Sequence, residues 1–533
     1  MTIQILVLLL FVMAVAAFVA DRLKIPPSIL LVLTGVGLAL TPGLPEVTLA
    51  PEVLLLLVLP PVIYSSAVAM SWREFRFNLR PISLLAVGCV VFTTAAVAWA
   101  THMFLNLPWP VGFVLGAIVS PPDAVAPLSI VRRLQIPRRL AVILEGEGLA
   151  NDATALILYR FAVVAVSAGA FSFGRAATTF AAIVIGEVIW GVVVGWGMLR
   201  LRGLMQQTRI EILLSLLTPF IAYWPPEILG GSGVLATMVA GLYISWNGLR
   251  LISAATRLQG IFFWSFLVYV IEGLVFLITG LQARALIERI HGYSISALVV
   301  SAAIVCGVVI VARFIWMYPA TYLPRWLIPA VRRRDPAPPW QWPFALAFTG
   351  IRGIVSLAAA LAIPLTIGSG APFPHRDLII FLTFSVILVT LVGQGLLLPL
   401  VLRALGLANA GQREAEADRL EEFVARRQGA EAAARRLEKL AAERTLSEDF
   451  LYALRARNRD QLLQIETRSD EADDSRRKLA ELHDDVEFDL IATERTFINE
   501  LYRSGELKDE ARRRIEYELD LREADLSNQR GDA

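Results

Sequence analysis

Leu144-Glu145-Gly146-Glu147-Gly148-Leu149-Ala150-Asn151-Asp152-Ala153-Thr154-Ala155-Leu156 decides how this chain is read, because three carboxylates and an amide stand inside an otherwise apolar stretch. The surrounding run, from about residue 140 to 167, is long enough to cross a bilayer as a helix. At about 100° per residue, Glu145 and Asp152 share one helix face, whereas Glu147 and Asn151 share another. Two polar faces on one span imply two separate jobs. An ionisable side chain at such depth costs roughly 2.5–3.5 kcal/mol on insertion, so it marks either a pathway or a fixed pair.

Outward from this segment, the composition agrees with a membrane protein. Of 533 residues, 56% are hydrophobic and 18% charged, which excludes an ordinary soluble enzyme. Thirteen apolar runs of spanning length recur between Met1 and about Leu402, those at 27–41 and 210–224 being the shortest. The first has no positive leader ahead of it and so reads as a span, not a signal peptide. Eighteen Lys and Arg residues fill alternate loops, among them Arg22, Lys24, Arg132, Arg133 and Arg332 to Arg334, while the other loops hold only Arg175, Arg284, Arg289 and Arg376. The positive-inside rule then puts the N-terminus outside and the C-terminal tail in the cytoplasm.

Charge divides the chain in two. Residues 1–402 carry 25 basic and 15 acidic side chains, whereas residues 403–533 carry 24 and 32. The first part is the transmembrane domain. The second is a charged helical tail, with Leu420, Phe423, Val424, Leu437 and Leu440 at helical spacings that suit hairpins or a short coiled coil. Regulation and a solvated folding or dimer-stabilising extension both remain open for it, and its partner is undefined.

Cys89 and Cys306 lie in apolar runs and the four histidines form no His-x-x-x-His pair, so neither a disulfide framework nor a resident metal centre is expected. The Gly-x-x-x-x-Gly-Lys phosphate loop is absent, so no cofactor and no nucleotide drive are expected, nor is a nucleic-acid partner.

The intramembrane ionisable residues are Asp123, Glu145, Glu147, Asp152, Arg160, Glu187, Glu272, Arg313 and Arg352. Asp123 belongs to Ser120-Pro121-Pro122-Asp123-Ala124-Val125-Ala126-Pro127, where the prolines remove backbone donors and force the span to unwind. Unwound backbone at that depth lines a cavity, and transporters use such half-helices to hold ions. Counting 1.5 Å per residue from opposite ends, Asp123 and Asp152 each lie about 21 Å into their spans, near the middle of the membrane. Burial disfavours an unpaired ionised carboxylate, yet a cation binds only the ionised form, so proton and cation compete for one site. Arg313 and Arg352 supply opposite charge. Gly350 and Gly353 around Arg352 permit a second broken helix.

Leu59-Pro60-Pro61-Val62-Ile63-Tyr64, Ser120-Pro121-Pro122-Asp123, Glu145 to Ala153, Ser232 to Ala236, Gly273 to Phe276 and Gly350 to Ser356 occur in an order that resembles bacterial sodium/proton exchangers of the first branch of the cation:proton antiporter family. The resemblance covers residues 1–402. It implies an all-α polytopic fold of about thirteen transmembrane helices in inverted repeats, two broken helices crossing at the midplane, and an inner-membrane homodimer. It further implies Asp152 as the cation and proton carrier, Asn151, Asp123 and Ser120 as ion-site residues, Glu147 paired with Arg313, and elevator-like movement. The Asn151-Asp152 pair is the family's electroneutral signature, with Glu145 the candidate second carboxylate should exchange prove otherwise. There are three departures: Ser65 stands where many relatives have glutamate, Gly148 where serine is usual, and Ser120-Pro-Pro-Asp123 replaces Thr-Asp-Pro; the first two remove possible cation oxygens and so bear on ion choice and affinity. The expected activity is exchange of Na⁺ or Li⁺, then K⁺, for protons; a K⁺/H⁺ antiporter and a degenerate transporter that senses through its tail are the alternatives.

Overall fold

The computed structural model describes residues 3–41, 54–168, 173–205, 207–248, 251–290, 292–368, 370–443, 447–467 and 474–531. Among them the chain is helical, its one extended pairing an isolated bridge between Thr366 and Pro372. It divides into Met1–Gln412 and Arg413–Ala533.

The first unit holds α1 (Ile3–Leu23), α2 (Pro27–Ala39), α3 (Leu54–Ala69), α4 (Leu79–Leu105), α5 (Trp109–Val119), α6 (Val125–Arg133), α7 (Arg138–Ala168), α8 (Phe173–Leu204), α9 (Thr208–Ile228) and α10 (Val234–Asn247). It continues with α11 (Ala254–Arg289), α12 (Ile295–Leu327), α13 (Gln341–Phe348), α14 (Ile354–Leu361) and α15 (Arg376–Ala404). Seven of these, α1, α4, α7, α8, α11, α12 and α15, are long and apolar enough to cross a membrane. Large apolar side chains such as Ile185, Ile189, Val193 and Trp196 stay exposed along α8, as suits a surface solvated by lipid tails and not by water.

Glycine sets the closest helix contacts. Gly35 of α2 and Gly280 of α11 face each other, and a Cβ on either would run into the backbone carbonyl of Leu277 or Val32. Small residues let the two backbones touch, which replaces the hydrophobic drive that lipid cannot supply. At the other end of the sequence scale, one buried carboxylate fastens a turn: Glu187 of α8 accepts from the backbone N–H groups of Ser232 (2.6 Å), Gly233 (3.1 Å) and Leu235 (3.1 Å). It thereby caps the start of α10, where the free N–H groups of a helix favour negative charge. Gly233, at φ +67°, makes the turn and has no room for a Cβ beside the carbonyl of Tyr223.

The runs at 109–131 and 341–366 are each two half-helices, α5 with α6 and α13 with α14. Beyond α12, Asp335 gathers Arg80, Arg139 (2.9 Å) and Arg325 (2.7 Å) from three different helices. Burial alone raises the Asp335 carboxyl, but hydrogen bonding and charge from Arg139 and Arg325 prevail and hold it below the ordinary carboxylate range.

α16 (Leu407–Glu443) begins inside the first unit, with Leu407 buried and Gly411 against the backbone carbonyl of Gln135. The second unit contains α17 (Glu448–Thr467), α18 (Asp474–Arg503) and α19 (Asp509–Gly531). α18 and α19 pack through Ile491, Leu519 and Leu526, and Arg495 bridges them to Asp520 (2.8 Å) and Glu523 (2.6 Å).

Candidate functional site

The site is built where two chain breaks meet. Pro121 and Pro122 end α5, and the chain resumes as α6 only at Val125. Thr349 to Gly353 separate α13 from α14 in the same manner. The breaks satisfy each other's backbone: the N–H of Asp123 donates to the carbonyl of Ile351 at 2.7 Å, and Nε of Arg352 donates to the carbonyl of Val119 at 3.0 Å. Arg352 is 1% exposed; its guanidinium also donates to the Gly350 carbonyl, and its own N–H donates to Oγ1 of Thr390 at 3.0 Å. A cation among carbonyl ends of half-helices is favourably placed against their dipoles. Gly353 is required by space, since a Cβ there would lie 2.5 Å from Oδ2 of Asp123.

α7 runs unbroken past this crossing, and its two polar faces do different things. On one, Glu147 and Arg313 are each 1% exposed and form a two-pronged ion pair at 2.5 and 2.8 Å. Arg313 also donates to the carbonyl of Leu346 from Nε (3.1 Å) and Nη2 (3.0 Å). The pair therefore ties α7, α12 and α13 together, with its donors and acceptors largely satisfied. Next to it, Asn151 is fully buried and donates to the carbonyl of Pro122 at 2.7 Å, which holds the first break against α7.

On the other face, Glu145 and Asp152 look into a cavity of about 110 Å³ that also receives Asp123, Glu272, Ser66 and Ser356. Neither lysine nor arginine is among its described lining residues. Asp152 has no hydrogen-bond or ion-pair partner among the described residues; one oxygen of Asp123 accepts from the N–H of Val125 at 3.2 Å, and the other is buried without a partner. Glu145 reaches Arg132 at 3.5 Å toward the start of α7. The remaining walls are apolar, among them Leu54, Val58, Ile271 and Ile354. Carboxylate oxygens in such surroundings are hard ligands for a small monovalent cation or acceptors for protons.

The structure thus brings together Asp123, Asp152 and Glu145, and it separates Glu147 with Arg313 from them. Ser120 is buried and donates to the carbonyl of Ala117 at 3.2 Å; it is not among the cavity's lining residues, and neither is Asn151. Of the departures, Gly148 lines the cavity, and a Cβ there would lie 2.4 Å from Cβ of Ala124, so a larger residue would press on the break. Ser66, not Ser65, is the described α3 hydroxyl at the cavity. Sequence reading left Glu272 without a role. Its signal was present, a lone carboxylate in a long apolar helix, but helical periodicity does not tell which neighbour it faces.

Residues 7–404 match the family model described as sodium/hydrogen exchanger, transmembrane. An uncharacterised Na⁺/H⁺ exchanger of Mycobacterium tuberculosis is 35% identical over 529 residues, 98% of this chain and 96% of that one. A sodium, potassium, lithium and rubidium/proton antiporter of Bacillus subtilis is 33% identical over 71% of this chain and 58% of its own. Among solved structures, the sodium proton antiporter of Methanocaldococcus jannaschii superposes with a TM-score of 0.61 at 20% identity, covering 76% of this chain and 98% of that one. At that identity the likeness speaks to fold.

Proposed function

We propose that this chain, which belongs to the sodium/hydrogen exchanger family, exchanges Na⁺ or Li⁺, and K⁺ less readily, for protons across the inner membrane. Members of the family are transporters and not enzymes, and the multi-pass apolar helices agree. The observation that carries the reading is the cavity: Asp123 and Asp152 reach it at the crossing of two broken helices, with no basic side chain among its described lining residues. Asp152 is the carrier. Ionised, it holds the cation; protonated, it is neutral and crosses without one, so the two ions compete and the gradient of either drives the other.

With one cycling carboxylate beside an amide, exchange is one proton per cation and electroneutral. Asp123 helps to hold the cation, while Asn151 keeps the break in register and Ser120 supports it from the end of α5. Thirteen spans in inverted repeats, an N-terminus outside, a cytoplasmic tail, a homodimer and elevator-like alternating access complete the reading. The alternating loop charges support the orientation, and the two half-helix pairs support the repeats. The breadth named for the Bacillus subtilis antiporter favours K⁺ as a second substrate. Purified protein in liposomes, challenged in turn with Na⁺, Li⁺ and K⁺ while internal pH is followed, tests this. Cation-dependent proton movement is expected, and its absence for all three would refute the reading.

A further inference from the structure

The transport reading uses carboxylates from the break before α6 and from α7, namely Asp123, Glu145 and Asp152, but the cavity has a fourth from a different part of the fold. Glu272 stands near the middle of α11, between Ile271 and Gly273. Its azimuth is fixed by neighbours on either side. Gly273 packs directly on Met13 of α1, and Gly280, two turns on, packs backbone to backbone on Gly35 of α2. Val275 and Ile271 lie against Leu54 and Val58 of α3 and Ile354 and Ala358 of α14. The helix is therefore locked, and Glu272 is left facing the cavity that holds Asp123 and Asp152. Neither a hydrogen bond nor an ion pair reaches its carboxylate among the described residues, although its surroundings are apolar.

A carboxylate held in that position with no protein partner is completed from the cavity, by a proton or, when ionised, by a cation for which it is an oxygen ligand. α3 supplies only the Ser66 hydroxyl at this wall, so Glu272 is the one carboxylate that the described residues of α1, α2, α3 and α11 present there. We propose that Glu272 is a cation-holding residue of the exchange site, sharing the cavity with Asp123 and Asp152 and setting the affinity for the entering monovalent cation without itself carrying the exchanged proton. This rests on the exchange reading above. The cation attracted by Glu272 is handed to Asp152, which is ionised only when it has released its proton. Removing the Glu272 charge weakens cation capture and leaves the proton-carrying group intact.

The test is a comparison of wild type, Glu272→Gln and Glu272→Asp in liposomes, with KM for Na⁺ and kcat determined separately. Each purified protein is also melted in detergent in NaCl and in choline chloride. Glu272→Gln is expected to raise the Na⁺ KM by about tenfold, the scale of one lost charge at close range, with kcat changed far less. Glu272→Asp should recover most of the affinity, and the extra melting stability given by NaCl over choline chloride should shrink only in Glu272→Gln. A Glu272→Gln protein with wild-type KM, or one in which kcat falls while KM and the NaCl effect are unchanged, overturns the assignment. A wild type that exchanges no cation defeats the exchange reading instead. In that case the NaCl-dependent melting still decides whether Glu272 holds a cation: loss of the effect in Glu272→Gln supports it, and retention overturns it.

Discussion

Glu147 and Asp152 are five residues apart on one helix and live in opposite circumstances. Glu147 is 1% exposed, doubly bonded to Arg313 and, through it, to the carbonyl of Leu346. Asp152 meets a cavity whose described walls bear three more carboxylates and no basic group. Depth in the membrane does not by itself make a carboxylate functional. What matters is whether its charge is already spoken for. A satisfied pair is a bolt, because neither partner has anything to gain from a third ion. An unsatisfied carboxylate is completed by something mobile, which in the proposed exchange is a proton or a cation in turn.

The sharpest way to break this contrast is Asp152→Asn. The change keeps size and removes the charge, so the protein should fold and cation-driven proton flux should fall to background in liposomes. More than a small residual flux in folded protein would show that Asp152 is not the sole carrier.

On the bolted face the expected loss is in stability. Glu147→Ala or Arg313→Ala leaves one charge buried and unpaired, a change that typically costs about 3–5 kcal/mol, whereas replacing both with apolar residues is far milder. Thermal melting in detergent should rank the double variant above either single one. Single variants that melt like wild type yet lose transport would erase the distinction between the two faces.

A third comparison lies outside the membrane, at Asp335. Its carboxyl is held below the ordinary range by Arg139 and Arg325, against the opposite effect of burial. A depressed folded pKa gives stability that is fully present above the unfolded value of about 4 and is lost as pH falls through the folded value. Asp335→Asn should therefore lower the melting temperature near neutral pH by less than the Glu147 or Arg313 changes do. That gap from wild type should narrow as pH drops below about 4, and a gap independent of pH would assign the effect to packing.

The smallest expected effect is none at all. If Asp152 alone cycles, an imposed membrane potential should leave the exchange rate unchanged. Acceleration by potential would mean that a second carboxylate on the open face also cycles, with Glu145, on the same side of α7 and paired only loosely with Arg132 at 3.5 Å, the first to test.

Much of this was legible in the chain itself. Apolar run length and alternating loop charge define a multi-pass membrane protein, because a bilayer demands continuous hydrophobic length and a charge bias at its edges. Pro121-Pro122 and the glycines around Arg352 announce breaks, since the missing backbone donors or side chains are local properties. The seven-residue spacing of Glu145 and Asp152 and the four-residue spacing of Glu147 and Asn151 separate the faces of α7 by helical geometry alone. What lies opposite those faces is not a local property. That Asn151 holds Pro122, that Gly353 admits Asp123, and that Glu187 caps α10 follow from backbone meetings across long stretches of sequence. Glu272 is the clearest case: its sequence neighbourhood resembles that of any lone acid in an apolar helix. Only the packing of α11 against α1, α2, α3 and α14 decides that it looks into the cavity, because a residue's azimuth becomes an address only when neighbouring helices are in place.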